Sequence, residues 1–123
     1  MNRKNAKRLN GLFLAMAVLG AGLALIKDRI RGFLVGVELS SGIEYAGHRE
    51  HGRAVEAFRG AADLAVMEGP RGIPGFHLEA WIGPRLPEAA AEALLEAGKV
   101  LEENMEDFPA AEEAYRRSAG LAA

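Results

Sequence analysis

Residues 9–26 read LNGLFLAMAVLGAGLALI, eighteen positions without a charge, with Arg3, Lys4, Lys7 and Arg8 before them and Lys27, Arg29 and Arg31 after. As a helix rising about 1.5 Å per residue, the run covers roughly 27 Å, close to the ~30 Å hydrocarbon core of a bilayer. Lys27 can lay its butyl stem along the helix and leave its ammonium at the headgroups, and Ile30, Phe33 and Leu34 extend the apolar surface. The stretch predicts a single transmembrane helix. A secretory signal peptide would share the basic start and the apolar run. Against it, Ala24, Leu25, Ile26 and Lys27 make no small-x-small cleavage site, and only Gly20, Ala21 and Gly22 would serve. A buried core helix is the third reading, but a small domain rarely surrounds so long an apolar run completely.

Charge divides the chain in two. Residues 1–37 hold seven basic residues and one acid, Asp28, for a net +6, and residues 38–123 hold eight basic and sixteen acidic residues, for a net −8. A basic end beside an acidic remainder suits an anchor near anionic lipid with a water-soluble domain attached. It excludes a nucleic-acid-binding footprint, because no basic patch interleaved with aromatics follows residue 37. The 123 residues leave room for one small domain beyond the anchor. With no cysteine there are no disulfides or thiolate metal sites, a composition that a bacterial-type periplasmic domain tolerates as well as any other.

Past the run, Ile26, Ile30, Phe33, Leu34 and Val37 recur at helical intervals, so the helix continues beyond the membrane surface with one apolar face. The helical pattern resumes from Ser40 and Ser41 to Tyr45, with Gly47 as terminator. A second helix is expected from about Arg53 to Met67, with Val55, Phe58, Ala62 and Ala65 on one side. Gly69, Pro70, Arg71, Gly72, Ile73, Pro74 and Gly75 break both helix and strand. After a short piece over Phe76 to Ile82, Pro87 fits the first position of a third helix through about Asn104. Asp107 reads as the N-cap of a last helix ending near Gly120. No segment reads as a strand.

Gly42, Tyr45, Ala54, Phe58 and Ala61 are separated by three, nine, four and three residues, which resembles the tetratricopeptide repeat and its G-x2-Y-x8-A-x3-F-x2-A pattern. Small residues at Gly42, Ala54 and Ala61 would let two antiparallel helices approach closely, while Tyr45 and Phe58 fill the groove. Gly98, Leu101, Ala111, Tyr115 and Ser118 repeat the pattern with one interval a residue longer. The sequence departs from the family where Glu38 and Ser41 replace a large aromatic and a leucine, and where Val66 replaces a closing proline. Ala54 and Ala111 stand 57 residues apart, so the segment around residues 68–87 would be an insertion between units. With the anchor and membrane-proximal helix read over residues 1–37, the resemblance implies an all-α fold in which a small domain of helical hairpins follows over residues 38–123. It also implies a scaffold that binds other proteins, not an enzyme. About three units normally make a stable array, so two call for surface from elsewhere in the chain or from another chain.

Candidate partner-binding residues are the aromatic patch Phe76, Trp81 and Ile82 together with Tyr45, Phe58 and Tyr115. Ala17, Gly20, Ala21 and Ala24 form small-xxx-small pairs suited to helix packing in a bilayer. Glu44, His48 and His51, spaced four and three, would share one face of an unbroken helix as metal ligands do, with His77 as a distant fourth candidate. A turn at Gly47 would separate them, so a secreted or anchored metal-binding protein or hydrolase is the alternative reading. No nucleophile elbow or phosphate loop is present: the only serines are Ser40, Ser41 and Ser118, and the glycine-rich stretch lacks a following lysine.

The expectation is therefore a single-pass membrane accessory subunit with no cofactor and no small-molecule substrate, whose partners are lipid and other protein subunits or further copies of itself. The basic excess before the span favours a cytoplasmic N-terminus and an extracytoplasmic domain.

Overall fold

In the computed structural model, which describes residues 3–122 (side chains from residue 7, Ala24 excepted), the uncharged run does not end where the charges begin. It is the first part of α1, Arg3–Gly47, one helix of 45 residues and about 67 Å. The first proline in the chain is Pro70, and glycines such as Gly32 and Gly36 cost only about 1 kcal/mol each in a helix interior, so nothing forces a break. Ser40 and Ser41 lie inside this helix, and Ser41 Oγ donates back to the Val37 carbonyl at 3.0 Å. The helix is long and apolar enough to span a membrane, and none of its apolar window is buried inside the protein.

Four helices follow: α2, His51–Val66; α3, Glu79–Ile82; α4, Pro87–Glu103; and α5, Phe108–Ala122. Among the described residues there is no strand. Pro87 opens α4, where its missing N–H is not needed. Asp107 caps α5, its Oδ1 accepting the Ala110 N–H at 3.2 Å. Gly47 is the last residue of α1, but the left-handed conformation expected there falls on Arg49, with φ 59°. The Glu50 N–H then reaches the Tyr45 carbonyl at 2.9 Å, closing the helix end as a glycine would. Glu106, with φ 53°, holds the equivalent place between α4 and α5.

The helices pack in series, α1 on α2, α2 on α4 and α4 on α5. Each pair is antiparallel. Gly42 meets Phe58 while Arg31, earlier in α1, meets Leu64, later in α2. Likewise Gly98 meets Tyr115 while Ala91 meets Ser118, whose Oγ donates to the Ala91 carbonyl at 2.6 Å. Alanine sets the close spacing: Ala54, Ala61, Ala62 and Ala65 of α2 and Ala90, Ala93 and Ala97 of α4 are fully buried. Phe58 and Leu94 supply the bulk, each at about 1.5–3 kcal/mol for complete burial. The α1 face that docks is Arg31, Val35, Leu39 and Gly42. The apolar stripe expected from the sequence, Ile26, Ile30, Phe33 and Val37, lies on the other side and stays partly or largely exposed.

Candidate functional site

Where α1 leaves the uncharged run, a second segment closes onto it. A helix ends with four carbonyls that have no partner in the helix. At the end of α2 each finds one. Arg31 Nη1 donates to Leu64 O at 3.1 Å and to Met67 O at 2.8 Å, the Leu86 N–H donates to Ala65 O at 2.7 Å, and Arg85 Nε donates to Val66 O at 3.1 Å. Arg31 Nε also donates to Gly83 O at 3.2 Å. Arg31 is thus fully buried, a cation held against the negative end of a helix dipole. Read from the sequence, it was one of the charges flanking the anchor at the membrane surface. Its partners lie 33 to 52 residues away, so no local pattern announces the role.

Gly83 completes this junction. Its φ is +101°, and a Cβ there would stand 2.6 Å from the Asp28 carbonyl oxygen and 3.0 Å from that of Lys27. The backbone after α3 therefore rests directly on the backbone of α1, two residues past Ile26. The segment between α2 and α4 is held near its C-terminal end, by Arg85 and Leu86 on α2 and by Gly83 on α1. Within it, Phe76 folds onto Gly69, where a Cβ would meet its ring at 2.7 Å.

The aromatic candidates divide. Trp81 is 66% exposed beside this junction, whereas Phe76 and Ile82 are half-buried. Phe58, only 2% exposed, packs on Gly42 and has no surface to offer a partner. Tyr45 is half-buried under the Arg53 guanidinium, 5.9 Å from its ring centre, and edges a shallow groove shared with Glu38 and Glu56. Tyr115 packs on Gly98 and donates its hydroxyl to Glu102 Oε2 at 2.7 Å. That bond, strengthened by burial and by nearby Glu103 and Glu96, pushes the phenol from 10.0 up to about 12.

Glu44 and His48 are exposed at the end of α1 and just after it, and His51 is half-buried at the start of α2. The turn through Arg49 lies between the two histidines, and among the described residues no three His, Asp or Glu side chains are grouped to hold a metal ion. Ala17, Gly20 and Ala21 are exposed along the apolar part of α1, and the side chain of Ala24 lies outside the described residues. Compared with protein-family models, curated proteins and solved structures, the chain matches none.

Proposed function

We propose that this chain is a single-pass, membrane-anchored helical scaffold that holds other protein subunits of a membrane complex, and that it performs no catalysis of its own. The observation that carries this reading is the continuity of α1. One helix bears an apolar run with no burial inside the protein and passes unbroken into the face on which α2 and α3 sit. A domain mounted this way is an organiser of neighbours in the bilayer.

The soluble part is read as two hairpins of tetratricopeptide type. What supports it is the same contact made twice, a helix glycine against the ring of the next helix, Gly42 with Phe58 and Gly98 with Tyr115. The inserted segment would supply the surface that a third unit gives in longer arrays. Its exposed Trp81, in the short helix that packs on α1, offers an amphipathic contact next to the anchor.

For topology, Arg31 is removed from the count of free charges by its burial. Lys27 and Arg29, offset by Asp28, then face Arg3, Lys4, Lys7 and Arg8, which favours a cytoplasmic N-terminus. The test is crosslinking in native membranes followed by mass spectrometry, with protease accessibility of the exposed Arg71 loop to fix the side. Recovery of other membrane subunits crosslinked near Trp81 is expected. A chain that washes from membranes at alkaline pH, or that yields no crosslinked protein, would overturn the proposal.

A further inference from the structure

The docked face of α1 centres on Arg31, Val35 and Gly42, and roughly 150° around it, at about 100° per residue, stand Ile26, Ile30, Phe33 and Val37. These four are spaced four, three and four apart. Phe33 is 71% exposed and Val37 47%, and Ile26, Ile30 and Phe33 line a shallow apolar groove beside Arg29. Followed back in the same alternation, the register passes Leu23, Leu19, Met16, Leu12 and Leu9. Nine successive heptad positions are large and apolar without exception, and the next in register at either end, Asn5 and Ser40, are polar. Inside the uncharged run, where most residues are apolar anyway, size still follows the register. Of the twelve other positions from Leu9 to Ile26, seven are Gly or Ala.

Lipid can cover the first part of this seam but not the last. Val37 lies eleven residues, about 16 Å, beyond Ile26, past Lys27, Asp28 and Arg29. A strict seven-residue repeat also drifts by ~20° per heptad on a straight helix, so it suits an occupant that winds with it. That occupant is a helix that crosses the same two environments, and a copy of this chain inserted with the same topology does so in the same direction. We infer that it is α1 of a second copy of this chain, the two helices pairing in parallel from Leu9 to Val37. The inference rests on the membrane-anchored reading above. Ile30 and Val37 fall at a positions and Ile26 and Phe33 at d, all bulky apolar side chains that can fill the seam between two such helices. Across a parallel pair Arg29 faces Leu34 and Lys27 faces Gly22, so no like charges meet. The two domains, docked on the opposite faces, point outward and do not obstruct each other.

Because the chain has no cysteine, single-cysteine variants of the full chain report the seam directly. Ile30→Cys, Phe33→Cys, Val37→Cys and, off the seam, Gly32→Cys are reconstituted in phosphatidylcholine vesicles at low protein-to-lipid ratio and oxidised. Disulfide-linked dimer is expected in at least about fivefold higher yield at the three seam positions than at Gly32→Cys. Adding Phe33→Glu to Val37→Cys should reduce the dimer severalfold without disturbing the domain, since Phe33 lies outside its core. Equal yields at all four positions, or no dimer at any, would overturn the pairing. An alkaline wash of the same vesicles separates the two failures: protein that stays in the pellet without crosslinks refutes the seam alone, and protein released to the supernatant refutes the anchor as well.

Discussion

Replacing Arg31 by methionine removes one side chain that holds three segments of the fold. Its guanidinium gives N–H bonds to Leu64 O at 3.1 Å, Met67 O at 2.8 Å and Gly83 O at 3.2 Å, from a site with no solvent exposure. Hydrogen bonds to charged donors contribute about 1.5–3 kcal/mol each, but the three do not simply add. The carbonyls of Leu64 and Met67 end a helix, and water can replace the donor there once the segment loosens. The Gly83 bond lies in the buried interface with α1, where a stranded acceptor costs about 1–3 kcal/mol. Loss of the cation at the α2 terminus adds about 0.3–2 kcal/mol. Methionine returns part of this through its own apolar burial, leaving a destabilisation of about 2–4 kcal/mol. Urea unfolding of the full chain in mild detergent measures it, and limited trypsin digestion locates it. Cleavage at Arg71 and Arg85 should accelerate while total helix content in the absence of urea is kept. Arg31→Lys, which still presents an ammonium but only as a point donor, should recover part of the loss. If Arg31→Met leaves the unfolding free energy within about 0.5 kcal/mol of the parent and the digestion unchanged, the junction is not what holds the segment between α2 and α4.

Three further outcomes follow from the same contacts. In Gly42→Ala and Gly98→Ala the new Cβ stands 2.6 Å from a ring carbon in both cases, but Phe58 is buried and Tyr115 can swing outward. Overpacking of about 1–3 kcal/mol, less the ~1 kcal/mol helix gain of alanine, predicts a net loss of about 0–2 kcal/mol at Gly42 and about none at Gly98. Urea midpoints that fall equally would contradict this. Gly83→Ala combines the strain of φ +101° with a contact at 2.6 Å to the Asp28 carbonyl oxygen, and should cost about 2 kcal/mol or more. Trp81, the only tryptophan, reports the outcome, and an unchanged emission spectrum and anisotropy would refute it. In Tyr45→Phe protein the phenolate absorbance of Tyr115 should appear near pH 12, and Glu102→Gln should bring it back toward 10. Because the folded value lies above the unfolded one, the stabilising effect of this bond is present below pH 10 and is lost as pH rises from 10 to about 12.

The elements with strong local signals lay open in the sequence. Pro87 and Asp107 mark the starts of α4 and α5 because a proline ring and a carboxylate act on the backbone within one turn. Gly42 reads as a position of close helix approach and does lie against Phe58, whereas nothing in the spacing says that Gly98 meets Tyr115. What could not be read depends on partners far along the chain. Arg31 sits in a basic cluster of the kind that flanks membrane helices, and only the arrival of Leu64, Met67 and Gly83 makes it a cap. The docking face of α1 was hidden for a related reason. It uses an arginine, a glycine and two aliphatic residues, so hydrophobic periodicity draws the eye to the opposite stripe. Trp81 stands out in the sequence as an aromatic, but its exposure two residues before the Gly83 contact is visible only in the fold.

The seat of Gly83 on Asp28 leaves the domain without a leash. A soluble module on ten flexible residues would wander over a radius of about 17 Å and sample many orientations, diluting itself with respect to any neighbour in the bilayer. Here the seat comes two residues, about 3 Å of helix rise, after Ile26. In a membrane, height and tilt are then set together by one rod. A neighbouring subunit of the kind proposed would meet the same surface at the same distance from the lipid every time, with the orientational entropy of that encounter already given up during folding.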